Sequence, residues 1–169
     1  MRVLGIDCGT EITGFGICEQ SNGGKLLYIA AGAIRFPKAD TLSQRLNHIY
    51  STLCAVVAEH HPDIVAIEEV FYSVNAKSAL KLGQVRGVAM LAAASSGLTV
   101  AEYAPLAIKS AVVGYGRAEK VQVQHMVMRL LQLSELPEPP DVADALAIAI
   151  CHLHTSSTQA RQAGAGARK

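Results

Sequence analysis

The chain has 169 residues, of which 50% are hydrophobic and 17% charged, with a formal net charge of +1 and four cysteines. That balance supports one domain with a sizeable core, argues against extended disorder, and by itself gives no sign of a polyanionic partner. No apolar run reaches membrane-spanning length without a charged or turn residue, the N-terminus opens on a strand pattern rather than a signal peptide, and Cys8, Cys18, Cys54 and Cys151 lie too far apart for a CxxC motif, so a cytoplasmic protein with reduced thiols is expected.

RVLGIDCG (2–9) reads as a buried strand ending at Gly9, EITGFGICEQ (11–20) as its hairpin partner, and KLLYIAAGAIRF (25–36) as a third strand after the turn SNGG. Asp40 or Thr41 can cap a helix whose apolar stripe runs through Leu42, Leu46, Ile49, Leu53 and Val57, and HPD stops it near His61. IVAIEEV (64–70) follows as a short buried strand, and Asn75 suits the N-cap of a long Ala-rich helix carrying Lys77 and Lys81. Then come the strand TVAEYA, a helix around 105–113 and another from about Ala118 to Leu133. Pro139 and Pro140 fit the start of a closing helix better than its interior. Residues 155–169 lack periodicity and read as a flexible tail to a single domain spanning 1–154. The order is α/β, an antiparallel meander feeding helix-crossed strands.

Charge is unevenly spread. Residues 72–134 carry a net +5, with Lys77, Lys81, Arg86, Lys109, Arg117, Lys120 and Arg129 against Glu102 and Glu119, leaving −4 for the rest. A basic middle beside acidic flanks suits a surface that grips phosphates around a carboxylate centre, although solvated helix faces produce similar counts.

Four acids sit in apolar surroundings: Asp7 and Glu68 near strand ends, and Asp141 and Asp144 in the first turn of the closing helix. If the first and fourth strands are neighbours, Asp7 and Glu68 approach each other, while the i, i+3 spacing puts Asp141 and Asp144 on one helix face. Clustered carboxylates raise one another's pKa and call for a cation, and all-oxygen donors favour Mg²⁺ or Mn²⁺. Two such ions would activate water and steady the leaving oxygen of a phosphodiester. Taken singly, each acid has an ordinary explanation: Asp141 and Asp144 as helix-end residues, Asp7 in GIDCGT as part of a phosphate-binding turn, Glu68 as the partner of a buried base.

GIDCGTEITGFGI, IEEVFYSVNAKSALKLGQVRGVA, YAPLAIKSAVVGYGRAEKVQVQHMV and DVADALAIAICHLH together resemble the RuvC-type Holliday junction resolvases across almost the whole chain. The resemblance implies a ribonuclease-H-like fold with a mixed five-stranded sheet and helices on both faces. It also implies a homodimer and Mg²⁺-dependent cleavage of four-way DNA junctions by paired symmetric nicks in recombination and repair, with two ions per active site. It makes Asp7, Glu68, Asp141 and Asp144 the catalytic metal-binding acids, and Lys109 and Lys120 the lysines beside the reacting phosphate. Phe71 corresponds to an aromatic that stacks on crossover bases, Lys77, Lys81 and Arg86 are weaker candidates for phosphate contacts, and the helix Lys77–Ala94 is the expected dimer contributor. A branch-migration helicase complex of the RuvA and RuvB type is the implied partner. Cys8 departs from the family's usual proline and Glu69 from its common Gln, while His152 and His154 point in different directions on one helix and suit packing better than metal binding. Two other readings compete: an ATP-binding protein of the actin and sugar-kinase group, through DCGT, and a non-catalytic junction-binding protein.

Overall fold

The computed structural model describes residues 1–69 and 76–166. In chain order these form β1 (Arg2–Asp7), β2 (Ile12–Gln20), β3 (Leu26–Arg35), α1 (Leu42–His60), β4 (Ile64–Glu68), α2 (Ala76–Ser95), β5 (Val100–Tyr103), α3 (Pro105–Val113), α4 (Lys120–Leu130) and α5 (Pro140–Gly166). The strands make one sheet in the order β3-β2-β1-β4-β5. β1, β2 and β3 pair antiparallel, whereas β4 runs parallel to β1 and to β5. This is the ribonuclease-H-like architecture that the motifs imply.

Side-chain alternation divides the core into two layers. Leu4, Ile6, Ile17, Val65 and Ile67 point to one face and pack with Ile49 and Leu53 of α1 and with Val85 and Ala89 of α2. Val3, Cys18 and Ala66 point to the other, where α3, α4 and α5 pack. On α5, residues 145–153 are buried without interruption, which is why that segment reads as apolar all round. Burying Leu146, Ile148, Ile150 and Leu153, each at most 1% exposed, contributes about 1.5–3 kcal/mol per side chain.

Local chemistry sets the helix ends. Thr41, rather than Asp40, caps α1 through a reciprocal capping box with Gln44, and His61 ends the helix in the left-handed region at φ 48°. α4 is shorter than its apolar pattern predicts: Glu119 caps it in a box with Gln122, and the chain has left the helix by Gln132, at φ 56°. The expected cap Asn75 lies outside the described residues.

The closing helix does not end at 154. It continues to Gly166, so most of the segment that lacks periodicity is helical. Thr155, Ser156 and Ser157 donate their hydroxyls to the carbonyls of Cys151, His152 and Leu153 at 2.8, 2.7 and 2.9 Å. The short polar side chains thus bond to the helix's own backbone rather than to another element.

Candidate active site

Asp7 closes β1 and Glu68 closes β4. The two strands are parallel neighbours, with Ile6 opposite Ile67, so the acids stand side by side one residue further on. Alternation then decides their direction. Asp7 shares the face of Val3 and Gly5, and Glu68 that of Ala66, so both carboxylates rise on the α5 side while Ile6 and Ile67 pack beneath.

What brings Asp141 and Asp144 to the same place is a row of glycines and alanines. Across the sheet, Ala31, Gly16, Gly5, Ala66 and Ala101 lie opposite one another on successive strands. α5 rests directly on this strip. A Cβ added to Gly5 would stand 2.1 Å from the Ala145 carbonyl oxygen, and one on Gly16 2.7 Å from Leu146 Cγ. Gly14, the register partner of Asp7, does the same for the helix start, where an added Cβ would stand 2.1 Å from the Asp141 carbonyl oxygen. Contact of helix backbone with sheet backbone therefore sets the height at which the first turn of α5 meets the strand ends.

Asp7, Glu68 and Asp144 line one cavity of about 120 Å³, together with Lys109 of α3 and Lys120 of α4. Asp141 does not line this cavity and lies beside Gly9, where an added Cβ would stand 3.8 Å from Asp141 Oδ1. Lys120 Nζ donates to Asp144 Oδ2 at 3.1 Å. Burial, then the charges of Asp144, Glu68 and Asp141, push the Asp7 carboxyl up to about 7, and Lys120 only partly offsets them. Glu68 is raised chiefly by burial and next by Asp144, with Lys120 and Lys109 opposing. The Asp144 carboxylate in turn raises Lys120. The cavity thus holds more negative charge than its lysines balance.

The acids face the cavity without closing on one point: among the described residues, no three His, Cys, Asp or Glu side chains are gathered tightly enough to hold a metal ion. The donors are nonetheless all carboxylate oxygens, under mutual repulsion and half sheltered from water. That chemistry fits a hard divalent cation.

Of the expected phosphate-binding residues, only Lys109 and Lys120 reach this cavity. Lys77 lies exposed in the first turn of α2, and Lys81 lines a different cavity. Phe71 lies outside the described residues. His152 and His154 serve packing: His152 Nδ1 and the Tyr103 hydroxyl share a hydrogen bond of 2.8 Å, and His154 Nδ1 lies 2.9 Å from the Ala111 carbonyl oxygen. All four cysteines are free, and burial pushes the Cys8 thiol up to about 12.

Arg86, a candidate phosphate contact, lines a second cavity together with Asp7 and Glu68. Its guanidinium pairs with Glu102 of β5, and its Nε donates to the Glu68 carbonyl oxygen at 3.3 Å. It thereby ties α2 to the end of β4 where Glu68 emerges. Replacing it, as in Arg86→Met, is expected to lower stability in urea unfolding by about 1–2 kcal/mol, with Arg86→Lys recovering part of the loss. The two acids were legible as charges in apolar strands; the bracing role of Arg86 and the small-residue row had no sequence signal, because both depend on pairing between distant segments.

The family model for crossover junction endodeoxyribonuclease RuvC matches residues 3–152. The protein of that name from Koribacter versatilis is 66% identical over 161 residues, covering 95% of this chain and 97% of its own. Among solved structures, Thermus thermophilus RuvC superposes with a TM-score of 0.85 at 32% identity, covering 94% of this chain and 97% of that one. The same protein in complex with a Holliday junction substrate also gives 0.85, at 29% identity, covering 94% of this chain and 96% of that one. With the match running through all five strands and the acid-bearing turn of α5, the chain belongs to the RuvC family of crossover junction endodeoxyribonucleases.

Proposed function

We propose that the chain is a structure-selective endonuclease that resolves four-way DNA junctions by paired symmetric nicks, in homologous recombination and DNA repair. The observation that carries this reading is the meeting of Asp7, Glu68 and Asp144 with Lys109 and Lys120 around one cavity, in a chain of this family. The actin and sugar-kinase alternative loses its footing, since DCGT belongs to a family motif rather than to a nucleotide clasp. All four acids of the quartet are present, which disfavours a purely binding role.

Asp7, Glu68, Asp141 and Asp144 would hold the metal, Mg²⁺ with Mn²⁺ as a substitute, two ions to a site. Bound there, divalent cations supply an activated water and stabilise the leaving oxygen. In the net reaction, the water oxygen attacks phosphorus in line, the bond to the 3′ oxygen breaks, and that oxygen takes up a proton. The chain's own contribution is placement and charge. Half-buried Asp7 is fixed by β1, Asp144 by the helix seat, and Lys120, whose side chain is 74% exposed, is free to turn from Asp144 toward a phosphate. Lys109 opposes charge from the α3 side, while Lys77 and Lys81 would add salt-dependent affinity without base reading. Phe71 would stack on an unpaired crossover base.

Paired nicking needs two copies, and α2 offers the face for it. Leu80 and Leu91 are 71% and 56% exposed, with exposed Gly83 and Gly87 between them on the same side of the helix. Each glycine weakens a helix by about 1 kcal/mol relative to alanine, and an added Cβ at either would meet nothing within 4 Å in one copy. Close approach of a second α2 gives both glycines a reason. Leu91→Glu is expected to yield a monomer in light scattering and to replace paired nicks by slow single ones; an unchanged dimer would place the interface elsewhere.

A cytoplasmic location and a branch-migration helicase partner complete the proposal; among the described residues no helix is long and apolar enough to cross a membrane. The decisive experiment incubates the purified protein with a labelled four-way junction in Mg²⁺, beside EDTA and linear-duplex controls. Symmetric, metal-dependent products from the junction alone are expected, and their absence would defeat the reading.

A further inference from the structure

The two edges of the sheet are unlike. β5 is four residues long and carries Glu102, whose carboxylate pairs with Arg86. Shortness and charge are the usual protections of an edge strand against pairing with another chain. β3 has neither. It runs for ten residues, holds no charge or proline before Arg35, and departs from regular pairing with β2 only around Ile29. Among the described residues, no strand and no backbone hydrogen bond reaches its outer side. Its Leu27 and Tyr28 are 37% and 42% exposed.

On the α5 face, against Tyr28 and Ala31 of this strand, lies a cavity of about 310 Å³ that has no part in the mechanism above. Leu133 and Val142 give it apolar walls, and Glu135 and Glu138, both exposed, line it as well. Among the described residues, neither carboxylate enters a hydrogen bond or ion pair. Two unpaired acids repel a nucleic-acid backbone and attract a cation, which makes the fitting occupant a protein rather than DNA. A strand added beyond β3 would turn every second side chain toward this face, with successive ones about 7 Å apart. One can then fill the apolar part while the next brings a lysine or arginine to the acids. Val142 adjoins Asp141, yet none of the four site acids lines this cavity, so an occupant here leaves the acid cavity open to DNA.

We propose that the outer edge of β3 pairs with an extended segment of a partner protein in which apolar and basic side chains alternate along one face. Backbone hydrogen bonds to β3 supply the affinity, and the cavity with Glu135 and Glu138 supplies the selectivity. This docking surface does not depend on the nuclease reading and stands or falls by itself.

The probe is a peptide as long as β3, ten residues, with threonine at every odd position and valine and lysine in turn at the even ones. It is titrated into the full-length protein by calorimetry, beside a second peptide that has glutamate for each lysine. The lysine peptide is expected to bind at least about tenfold more tightly, and the double variant Glu135→Lys/Glu138→Lys to reverse that preference. Methylating the backbone nitrogens of alternate residues separates strand pairing from charge attraction, because only every second amide of an added strand faces β3. One methylated set should abolish binding and the other leave it within about threefold. Hydrogen exchange in the complex should show new protection in β3 and none in β5. No binding of the lysine peptide at roughly 1 mM overturns the proposal, and so does an equal loss from both methylated sets or protection that spares β3. Displacement of the peptide by four-way junction DNA would assign the edge to nucleic acid and overturn it as well. Should the double variant fail to fold in urea unfolding, the methylated peptides and the exchange pattern decide the matter on the wild type.

Discussion

Asp7→Asn is expected to reduce junction cleavage by about 10³-fold or more while making the metal-free protein more stable at neutral pH. The two effects share one cause. Burial and three neighbouring carboxylates hold the Asp7 carboxyl at about 7, against an ordinary value of 3.8. The unfolded chain releases that proton near 3.8 and the folded chain near 7, so between those values the folded state binds more protons. Stability contributed by this group is therefore fully present below the unfolded value and is lost as pH rises toward the folded one. An asparagine has no proton to release and escapes the loss. The gain from Asp7→Asn should be absent near pH 4 and reach about 2–4 kcal/mol by pH 8. Thermal unfolding in EDTA across that range measures it, and a gain independent of pH would show that repulsion among the acids is not its source. Added Mg²⁺ should stabilise the wild type, since a ligand of the folded state raises its stability by mass action, and should stabilise the variant much less.

Gly5→Ala is expected to cost about 3 kcal/mol or more, although it adds a single methyl group. That methyl would stand 2.1 Å from the Ala145 carbonyl oxygen and 2.7 Å from the Ala149 amide nitrogen, both helix backbone that cannot rotate away. Relief requires lifting α5 off the sheet, which also separates buried Leu146 and Ile150 from their neighbours. Gly14→Ala acts at the other end of the seat. Its methyl would displace the Asp141 carbonyl, so cleavage should fall further than stability does, because the first turn carries two of the acids. Gly23→Ala is the control: its added Cβ would find only Ser21 Oγ, at 3.9 Å, and should change stability by less than about 0.5 kcal/mol. Urea midpoints for the three variants, read beside their cleavage rates, test the seat. A tolerated Gly5→Ala would show that α5 can ride higher on the sheet without harm.

Much of this protein is written locally. Periodicity and turn residues place β1, β2, β3 and α1 within a few residues, because strands of period two and an amphipathic stripe are properties of short segments. α4 and the C-terminal segment are where local reading goes astray. At α4 the apolar pattern runs past the capping box that starts the helix and past the Gln132 conformation that follows it. Beyond residue 154 the pattern is missing, yet the helix continues to Gly166. The four acids were conspicuous for the same local reason: a charge within an apolar run asks for a partner.

The family motifs, and with them the expectation of a junction nuclease, stand in the sequence alone, as do the candidate acids and the lysines that oppose them. Only the tertiary structure decided that Lys109 and Lys120 share the cavity of Asp7, Glu68 and Asp144 while Lys81 serves another, and that Arg86 braces the Glu68 strand. It alone aligned Ala31, Gly16, Gly5, Ala66 and Ala101 into one row. Each of those residues is unremarkable in its own segment. Register between strands far apart in sequence makes them a single surface, and a helix backbone can rest on that surface only because no side chain larger than a methyl stands in its way.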